Sequence, residues 1–346
     1  MTLEGRTIAL DCRWLGIGGA GRVTELLLAE LAEAPPPGAW TLWGRPERIG
    51  RFVFPGASVQ PFARDPRAGW GQRALRAVPA CDVVLYAHQT RPIRPGRSVT
   101  VIHDTIPVRF GGAAPQRALK RAFLRAVARV STRILTDSEA SRDAILRDLR
   151  VAPDRVAVMR FPTDLERARR VAELRETLPQ EPVLLYVGTF MAHKNLPRLT
   201  QAFAQSAFAA AGGRLLLVGG GDATAGLRAR LDADGIAGVE VREACDDDEL
   251  DRLLATSRAL VQPSLEEGYG LPPFEAAASG LPVAVTPAGA LLDLPEEVRV
   301  VFDPRDVAGM THAIDEVTRR PAGPPRAVSE SNLRATVLAS LEQALA

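Results

Sequence analysis

The chain has 346 residues, which is long for one domain and suits two. Hydrophobic residues make up 46% and charged residues 24%, a balance that describes a soluble globular protein with a full core. The apolar runs are shorter than the roughly 18 residues that a membrane span needs. The first residues do not resemble a secretory signal, and the three cysteines lack metal-ligand spacing. We therefore expect a cytoplasmic protein with reduced thiols.

The net charge of +2 is divided unevenly along the chain. Residues 1–175 hold 29 Lys+Arg and 17 Asp+Glu, a balance of +12, whereas residues 176–346 hold 14 and 24, a balance of −10. This asymmetry predicts that the first half meets an anionic partner.

Apolar β-type segments alternate with helical patterns, which predicts parallel sheets in α/β domains. The first half is predicted to hold strands at 7–11, 82–86, 99–103, 133–137 and 156–160, and helices at 22–34, 116–130 and 139–149. The second half is predicted to hold strands at 183–188, 214–219, 239–243, 258–262 and 282–286, and helices at 196–210, 225–234 and 248–255. Ser138 is the predicted N-cap of the helix at 139–149.

The domain boundaries are predicted from composition. The charged stretch 165–180 lacks strand character and is interpreted as a linker, which gives domains at 1–170 and 171–326. A proline-rich connector, 321–325, precedes a final helical segment, and residues 327–346 are expected to pack back on the N-terminal domain. Two doubly wound domains facing a cleft would direct the carboxyl ends of both sets of strands toward one ligand.

The most informative segment, residues 262–282, reads Gln-Pro-Ser-Leu-Glu-Glu-Gly-Tyr-Gly-Leu-Pro-Pro-Phe-Glu-Ala-Ala-Ala-Ser-Gly-Leu-Pro. It places Glu267 and Glu275 on either side of a glycine-rich turn that opens a helix. Free backbone N–H groups at a helix N-terminus suit an anionic or polyhydroxylated ligand. Since eight residues make a little over two helical turns, the two carboxylates can reach different parts of one ligand.

This segment resembles the Glu-x7-Glu signature of the family-4 retaining glycosyltransferases of the GT-B type. The resemblance implies two Rossmann-like domains, an acceptor-side one at 1–170 and a donor-binding one at 171–326, with a nucleotide-diphospho-sugar as donor. It implies that Glu275 holds the ribose hydroxyls and that Glu267 binds a hydroxyl of the donor sugar. Backbone N–H groups around four residues would assist Glu267: Gly268, Tyr269, Gly270 and Leu271.

A second element follows the predicted strand that ends at Gly188, where Lys194 and Asn195 open the next helix. A lysine there adds a full charge to the partial charge of the helix dipole. The element is similar to the family's Gly…Lys-Asn motif, whose lysine binds the donor phosphates and would neutralise the leaving diphosphate. By the same resemblance Gly188, Thr189 and Asn195 are expected to bind the donor, although many members carry an arginine at the position of Thr189. Candidates for the missing charge are His193, Arg13 and Arg22.

The first predicted strand is followed by a glycine-rich turn at 15–22. A turn of this kind also raises a dinucleotide-binding alternative, but its spacing is loose and no acidic residue closes a second strand about twenty positions later. The turn resembles the family's N-terminal Gly-Ile-Gly-Arg loop, which approaches the diphosphate and the acceptor. The residues that correspond are Gly18, Gly19, Gly21 and Arg22.

His103 and Asp104 end an apolar strand and resemble the His-Asp pair of a subfamily in which the histidine contacts the donor sugar's distal hydroxyl. Thr136–Ser141 is similar to the family's Asp-Ser-Glu-x-Ser segment, which lines the cleft. Phe161–Asp164 stands where relatives carry an Asn-Gly turn. This difference is expected to affect the geometry of the hinge between the domains rather than the catalytic chemistry.

Basic residues recur every four positions in the helix predicted at 116–130, so they share one face. Such like charges repel one another unless an anion is near, and the helix also has an apolar side. Peripheral contact with an anionic membrane, at the inner face of the plasma membrane, is one interpretation. The alternative is a solvated face salt-bridged to its neighbours. The residues are Arg117, Lys120, Arg121, Arg125 and Arg129.

The resemblance therefore implies a retaining hexosyltransferase that acts on a glycan or lipid-linked acceptor, and no nucleic-acid partner is expected. Asp246–Asp248 is interpreted as a helix N-terminal charge cluster rather than a metal site, and no metal or other cofactor is predicted. GDP-mannose is the first expected donor, from the resemblance of His103–Pro107 and Lys194-Asn195 to bacterial mannosyltransferases of polysaccharide assembly, and a UDP-hexose is the second. The alternatives are a nucleotide-sugar-binding protein without transferase activity, a GT-B-shaped epimerase and an NAD-dependent oxidoreductase.

Overall fold

The computed structural model describes residues 2–62, 66, 78–221, 223–243 and 245–346. By their contacts they divide into two compact units. Unit 1 comprises Met1–Pro162 and Ser331–Ala346, and unit 2 comprises Thr163–Glu330. Each unit is built on its own parallel sheet, which confirms the predicted α/β class with two Rossmann-like domains.

Unit 1 has a seven-stranded sheet in the order β3-β2-β1-β4-β5-β6-β7. Its strands are β1 Thr7–Asp11, β2 Ala39–Gly44, β3 Ala57–Pro61, β4 Val83–Tyr86, β5 Ser98–Val101, β6 Arg133–Thr136 and β7 Val156–Val158. Its helices are α1 Gly18–Glu33, α2 Pro46–Ile49, α3 Ile106–Phe110, α4 Ala114–Val130, α5 Glu139–Leu149 and α13 Leu333–Leu345. β1 pairs in parallel with β2 on one side and with β4 on the other.

The centre of this sheet is covered on both faces. All four residues of β4 are buried, as expected for a continuous apolar run inside a parallel sheet. The last helix, α13, contributes Leu333, Val337 and Leu341 to the buried residues of the unit. Its start is tied to α1, since the backbone N–H of Arg334 donates to the carboxylate of Glu30 at 2.8 Å.

Unit 2 has a six-stranded sheet in the order β10-β9-β8-β11-β12-β13. Its strands are β8 Val183–Val187, β9 Arg214–Val218, β10 Val239–Arg242, β11 Ala259–Gln262, β12 Val283–Val285 and β13 Arg299–Val301. Its helices are α6 Leu165–Thr177, α7 Leu196–Ala204, α8 Ala207–Ala210, α9 Thr224–Ala233, α10 Asp247–Thr256, α11 Leu271–Ala278 and α12 Val307–Val317.

Both sheets reverse their strand order once, between β1 and β4 in unit 1 and between β8 and β11 in unit 2. In open α/β sheets, ligands bind outside the carboxyl ends of the strands at such a reversal. Each unit therefore has one preferred place for a site.

The linker predicted at 165–180 is wrong, because most of it forms α6. The Asp164 carboxylate caps this helix by accepting from the backbone N–H of Arg167 at 2.9 Å. The Leu, Glu, Arg and Ala residues that follow favour a helix, and Ala168 and Val171 give it a buried side. The many charged residues of this segment suggested an exposed linker, but the segment is a helix that packs within unit 2.

The helix predicted at 196–210 is interrupted. α7 ends at Ala204, and Ser206 starts α8 by accepting from the backbone N–H of Ala209 at 3.1 Å. Several elements carried no sequence assignment, namely β2, β3, β13, α2, α3 and α12. Among the described residues, no helix has both the length and the apolar composition to cross a membrane.

Candidate active site

Glu267 lies five residues beyond β11, at the strand reversal of unit 2, and its side chain is only 6% exposed. Its Oε1 accepts from Lys194 Nζ at 2.6 Å, Gln262 Nε2 at 2.6 Å and Ser264 Oγ at 2.8 Å. Within the described ranges, Oε2 accepts no hydrogen bond. The protein thus anchors one of the two carboxylate oxygens with three hydrogen bonds.

Burial alone would raise the pKa of Glu267. The charge of Lys194 and the hydrogen bonds from Lys194, Ser264 and Gln262 outweigh that effect and lower the pKa below its ordinary value. Glu267 is therefore a carboxylate at neutral pH, and it faces the lysine ammonium directly.

The loop after β8 delivers Lys194 through a short 3-10 turn, Ala192–Lys194. Asn195 follows in the left-handed region at φ 59°, which asparagine tolerates better than most residues. Its Nδ2 donates to the carbonyls of Pro304 at 2.7 Å and Pro263 at 3.1 Å. The predicted donor-binding side chain of Asn195 thus ties this loop to the segment after β11.

One of the three candidates for the missing charge, His193, is wrong, while Arg13 and Arg22 stay predictions. Burial and the charge of Lys194 lower the pKa of His193 to about 4, so His193 is neutral at neutral pH. Arg13 belongs to unit 1, is 2% exposed and pairs with Asp11 at 2.7 Å. Arg22 pairs with Glu25 at 3.3 Å, and Thr189 itself is exposed next to Gly188.

The glycine-rich turn ends at Gly270, which starts α11 at φ 91°. A Cβ at this position would lie 2.6 Å from Leu291 Cδ2, so the turn needs glycine. Because Pro272 and Pro273 have no N–H, the backbone donors at this helix start come from the residues just before them. Gly268 is buried, and the Tyr269 ring stacks on Phe274 with centroids 4.4 Å apart.

Glu275 lies in the second turn of α11 and is 20% exposed. Its Oε1 accepts from Arg167 Nη1 at 2.9 Å, while Arg167 Nε donates to Asp251 at 2.6 Å. Burial alone would lower the pKa of Arg167, but the charges of Glu275 and Asp251 raise it above its ordinary value. Sequence reasoning missed Arg167 because it lay in the presumed linker. The Asp164 cap was the signal that would have revealed the helix.

In unit 1, His103 follows β5 and its Nδ1 lies 2.9 Å from Asp137 Oδ2, just beyond β6. Burial alone would lower the pKa of His103, but the charge and hydrogen bond of Asp137 and the charge of Asp104 raise it above its ordinary value. Asp104 also accepts from the backbone N–H of Ile106 at 2.8 Å, at the start of α3.

Two further side chains at the reversal of unit 1 were missed from the sequence. Trp14 follows β1 and His88 follows β4, and their ring centroids are 3.9 Å apart. The His88 ring lies 5.7 Å from that of His103. The sequence could have indicated these two residues only through their position just after predicted strands, because neither belongs to a recognised motif.

The raised pKa of His103 beside Asp137 makes the stability of unit 1 depend on pH. Its contribution is complete below about pH 6.5, the ordinary pKa of histidine, and is lost as pH rises through the raised pKa of the folded state. We expect the advantage of wild type over His103→Gln in melting temperature to be largest at pH 6 and smaller at pH 9. Tryptophan fluorescence measures this, and a constant difference would contradict it.

The N-terminal glycine residues form helix rather than loop. Gly18, Gly19, Gly21 and Arg22 all lie at the start of α1, which begins four residues before its predicted start. Gly21 allows the start of α1 to lie close to the backbone of Trp14. A Cβ at residue 21 would be only 2.6 Å from the Trp14 carbonyl oxygen.

The basic helix α4 has no described carboxylate within ion-pair distance of its five cations. Arg117, Lys120 and Arg125 instead donate to backbone carbonyls of Gly112, Gly111 and Asp148. Arg121, Arg129 and Leu119 are exposed, Leu119 by 59%. The salt-bridged alternative is therefore wrong for the part of the chain that the structure covers.

Asp246 caps α10 by accepting from the backbone N–H of Glu249 at 2.8 Å, which confirms the helix N-terminal cluster. Among the described residues, no three His, Cys, Asp or Glu side chains group as metal ligands would.

Residues 181–320 match the family model described as "Glycosyl transferases group 1". This segment lies within unit 2 and contains Lys194, Glu267 and Glu275. The O-antigen chain mannosyltransferase RfbU of Salmonella typhimurium is 23% identical over 240 residues, which cover 69% of this chain and 65% of that protein. The aligned segment therefore spans slightly less than two thirds of this relative's length.

Two solved structures illustrate the similarity of fold. The sucrose-phosphate synthase of Thermosynechococcus elongatus has a TM-score of 0.70 at 20% identity, covering 98% of this chain and 94% of that one. Anabaena HepE in complex with UDP-glucose has a TM-score of 0.69 at 15% identity, with the same coverage. The fold of the two units is thus shared with GT-B glycosyltransferases.

Proposed function

We propose that this protein is a retaining glycosyltransferase that transfers a hexose from a nucleotide-diphospho-sugar to a glycan or lipid-linked acceptor. The observation that carries the proposal is the buried Lys194–Glu267 pair at the strand reversal of unit 2. An ammonium group suits a diphosphate, and the adjacent carboxylate suits a sugar hydroxyl. The match of the surrounding segment to a glycosyltransferase family supports the same function.

Each proposed role follows from the contacts of the residue. Lys194 would bind the diphosphate and stabilise the charge that develops as it leaves. Glu267 is anchored through Oε1 and would accept from a sugar hydroxyl at Oε2. Glu275 would hold the ribose hydroxyls, and His103 would contact a hydroxyl of the donor sugar.

The stereochemical outcome is part of the proposal. In a retaining transfer by front-face attack, the acceptor hydroxyl bonds to the anomeric carbon on the side from which the diphosphate oxygen departs. The acceptor's proton then passes to the departing phosphate oxygen. We propose that no divalent metal takes part and that Lys194 supplies the positive charge for this step.

Mannose is the first proposed sugar, because RfbU is described as a mannosyltransferase. A UDP-hexose is the second, because HepE was solved with UDP-glucose. A thermal-shift screen against GDP, UDP, ADP, their sugar conjugates and NAD tests the donor. A ligand at about one hundred times its Kd stabilises by roughly 2.7 kcal/mol, which is readily detected.

A selective response to one nucleoside diphosphate and its sugar conjugate is expected. A response to NAD alone would contradict the proposal. Donor turnover with and without an acceptor then separates the alternatives: a pure binder consumes no donor, and an epimerase converts the donor without an acceptor.

We also propose that α4 contacts an anionic membrane surface through its basic residues, which have no carboxylate partner among the described residues, and this can be tested with vesicles. Arg121→Glu combined with Arg129→Glu should weaken binding to vesicles of phosphatidylcholine and phosphatidylglycerol at least about tenfold, since each basic residue contributes about 1 kcal/mol. Arg169→Glu combined with Arg170→Glu is the matched control, because it changes the same charge at exposed positions of α6. Equal losses in both double variants, or none, would contradict a docking role for α4.

A further inference from the structure

Helix α6 sends two arginines to α11, the helix that carries Glu275. Arg167 donates to the Glu275 carboxylate at 2.9 Å. Arg175, eight residues later, donates to the backbone carbonyl of Ser279 at 2.6 Å, at the C-terminal end of the same helix. Eight residues are a little over two turns, so both arginines leave the same side of α6. Arg167 reaches a side chain of the candidate site, whereas Arg175 reaches Ser279, through its backbone carbonyl and its Oγ, and the backbone carbonyl of Leu254.

Arg167 joins an interior carboxylate to a more accessible one. The exposed side-chain fraction is 8% for Arg167, 10% for Asp251 and 20% for Glu275. Asp251 holds the guanidinium through Nε at 2.6 Å, and the Nη1 group reaches outward to Glu275. Nη2 is buried, and among the described residues it has no hydrogen-bond acceptor. A guanidinium placed in this way restricts the orientation of the Glu275 carboxylate.

We infer that Arg167 is a positioning residue for ribose recognition, which fixes the Glu275 carboxylate in the orientation that accepts both hydroxyls of a vicinal diol. The inference rests on the proposed function, in which Glu275 holds the ribose of the donor nucleotide. A carboxylate whose orientation is already restricted loses less conformational freedom when the ligand binds. The arginine therefore acts on affinity for the ribose and not on affinity for the diphosphate.

The test compares ribonucleotides with their deoxy counterparts by isothermal titration calorimetry. The nucleoside diphosphate preferred by wild type is titrated beside its 2′-deoxy and 2′,3′-dideoxy forms. Wild type should prefer the ribonucleotide. Arg167→Met should weaken ribonucleotide binding about tenfold, leave dideoxy binding unchanged and so remove most of the preference.

Arg175→Met is the matched control, since it removes an arginine from the same helix and a contact to the same neighbour without touching Glu275. It should keep the wild-type preference. Arg167→Lys keeps a positive charge beside Asp251 and so preserves folding, but a single ammonium cannot hold both carboxylates in the same geometry. This variant should show an intermediate preference. In a Glu275→Gln background, Arg167→Lys should have no further effect.

The inference is overturned if both methionine variants lower affinity for all nucleotides equally, because Arg167 then only packs the helices. It is also overturned if Arg167→Lys retains the full preference for ribose. A wild-type protein that binds no nucleoside diphosphate would instead overturn the proposed function. The two failures are therefore distinguishable.

Discussion

Glu267→Gln is expected to lower turnover about 10²–10³-fold and to strengthen binding of the nucleoside diphosphate without its sugar. In wild type, Lys194 is held at 2.6 Å by the Glu267 carboxylate, so part of its charge is already neutralised. The uncharged amide releases the lysine for the diphosphate but no longer provides a carboxylate for the sugar. Steady-state kinetics and calorimetry measure the two effects separately.

Glu296→Gln serves as the control, since this glutamate is 92% exposed and lies outside the candidate site. It should leave both quantities unchanged. A weaker binding of the nucleoside diphosphate by Glu267→Gln would show that Glu267 does not compete with the diphosphate for Lys194. The proposed roles, Lys194 for the diphosphate and Glu267 for the sugar, would then be wrong.

Lys194→Met is expected to lower kcat/KM for the donor about 10²–10³-fold, because it removes the charge that stabilises the leaving diphosphate. It should also destabilise unit 2 by about 3–5 kcal/mol, since the buried Glu267 carboxylate is left without its counterion. The double variant Lys194→Met/Glu267→Gln should recover part of this stability but none of the activity.

The placement of the tryptophans allows unit 2 to be followed separately. None of the four tryptophans lies in the 163–330 segment that forms unit 2, and Trp14, Trp40 and Trp43 lie in unit 1, so changes in their fluorescence report on unit 1. Circular dichroism at far-ultraviolet wavelengths reports on both units. For Lys194→Met we expect a lower unfolding temperature by circular dichroism and an unchanged one by fluorescence. An equal decrease by both probes would contradict an effect confined to unit 2.

The sequence was sufficient for the parts of the fold that local periodicity determines. β1 and α5 match their predicted bounds, because an apolar strand and a capped amphipathic helix each carry their own signal. α6 did not, because its Arg and Glu residues resemble a solvated linker until α10 and α11 are known to cover Arg167. The burial of Arg167 depends on residues of α10 and α11 that are distant in the sequence.

The candidate site shows the same division. Glu267 and Lys194 carry a local motif, and the structure brings them within 2.6 Å across 73 residues of chain. Trp14 and His88 lie 74 positions apart and carry no motif, so only the pairing of β1 with β4 brings them together. His193 also required the structure, because its charge depends on burial that spacing does not reveal.

The two units differ in the order in which their residues are synthesised, because unit 1 is made of two separate segments of the chain. Unit 2 is one continuous segment, so it has all its residues as soon as Glu330 has been made. Unit 1 begins earlier but needs Leu333, Val337 and Leu341 of α13 to fill its core. Because domains fold as units during translation, the unit that starts first on the ribosome is the one completed last. Until then its unfinished apolar surface is the part of the nascent chain that a chaperone would protect.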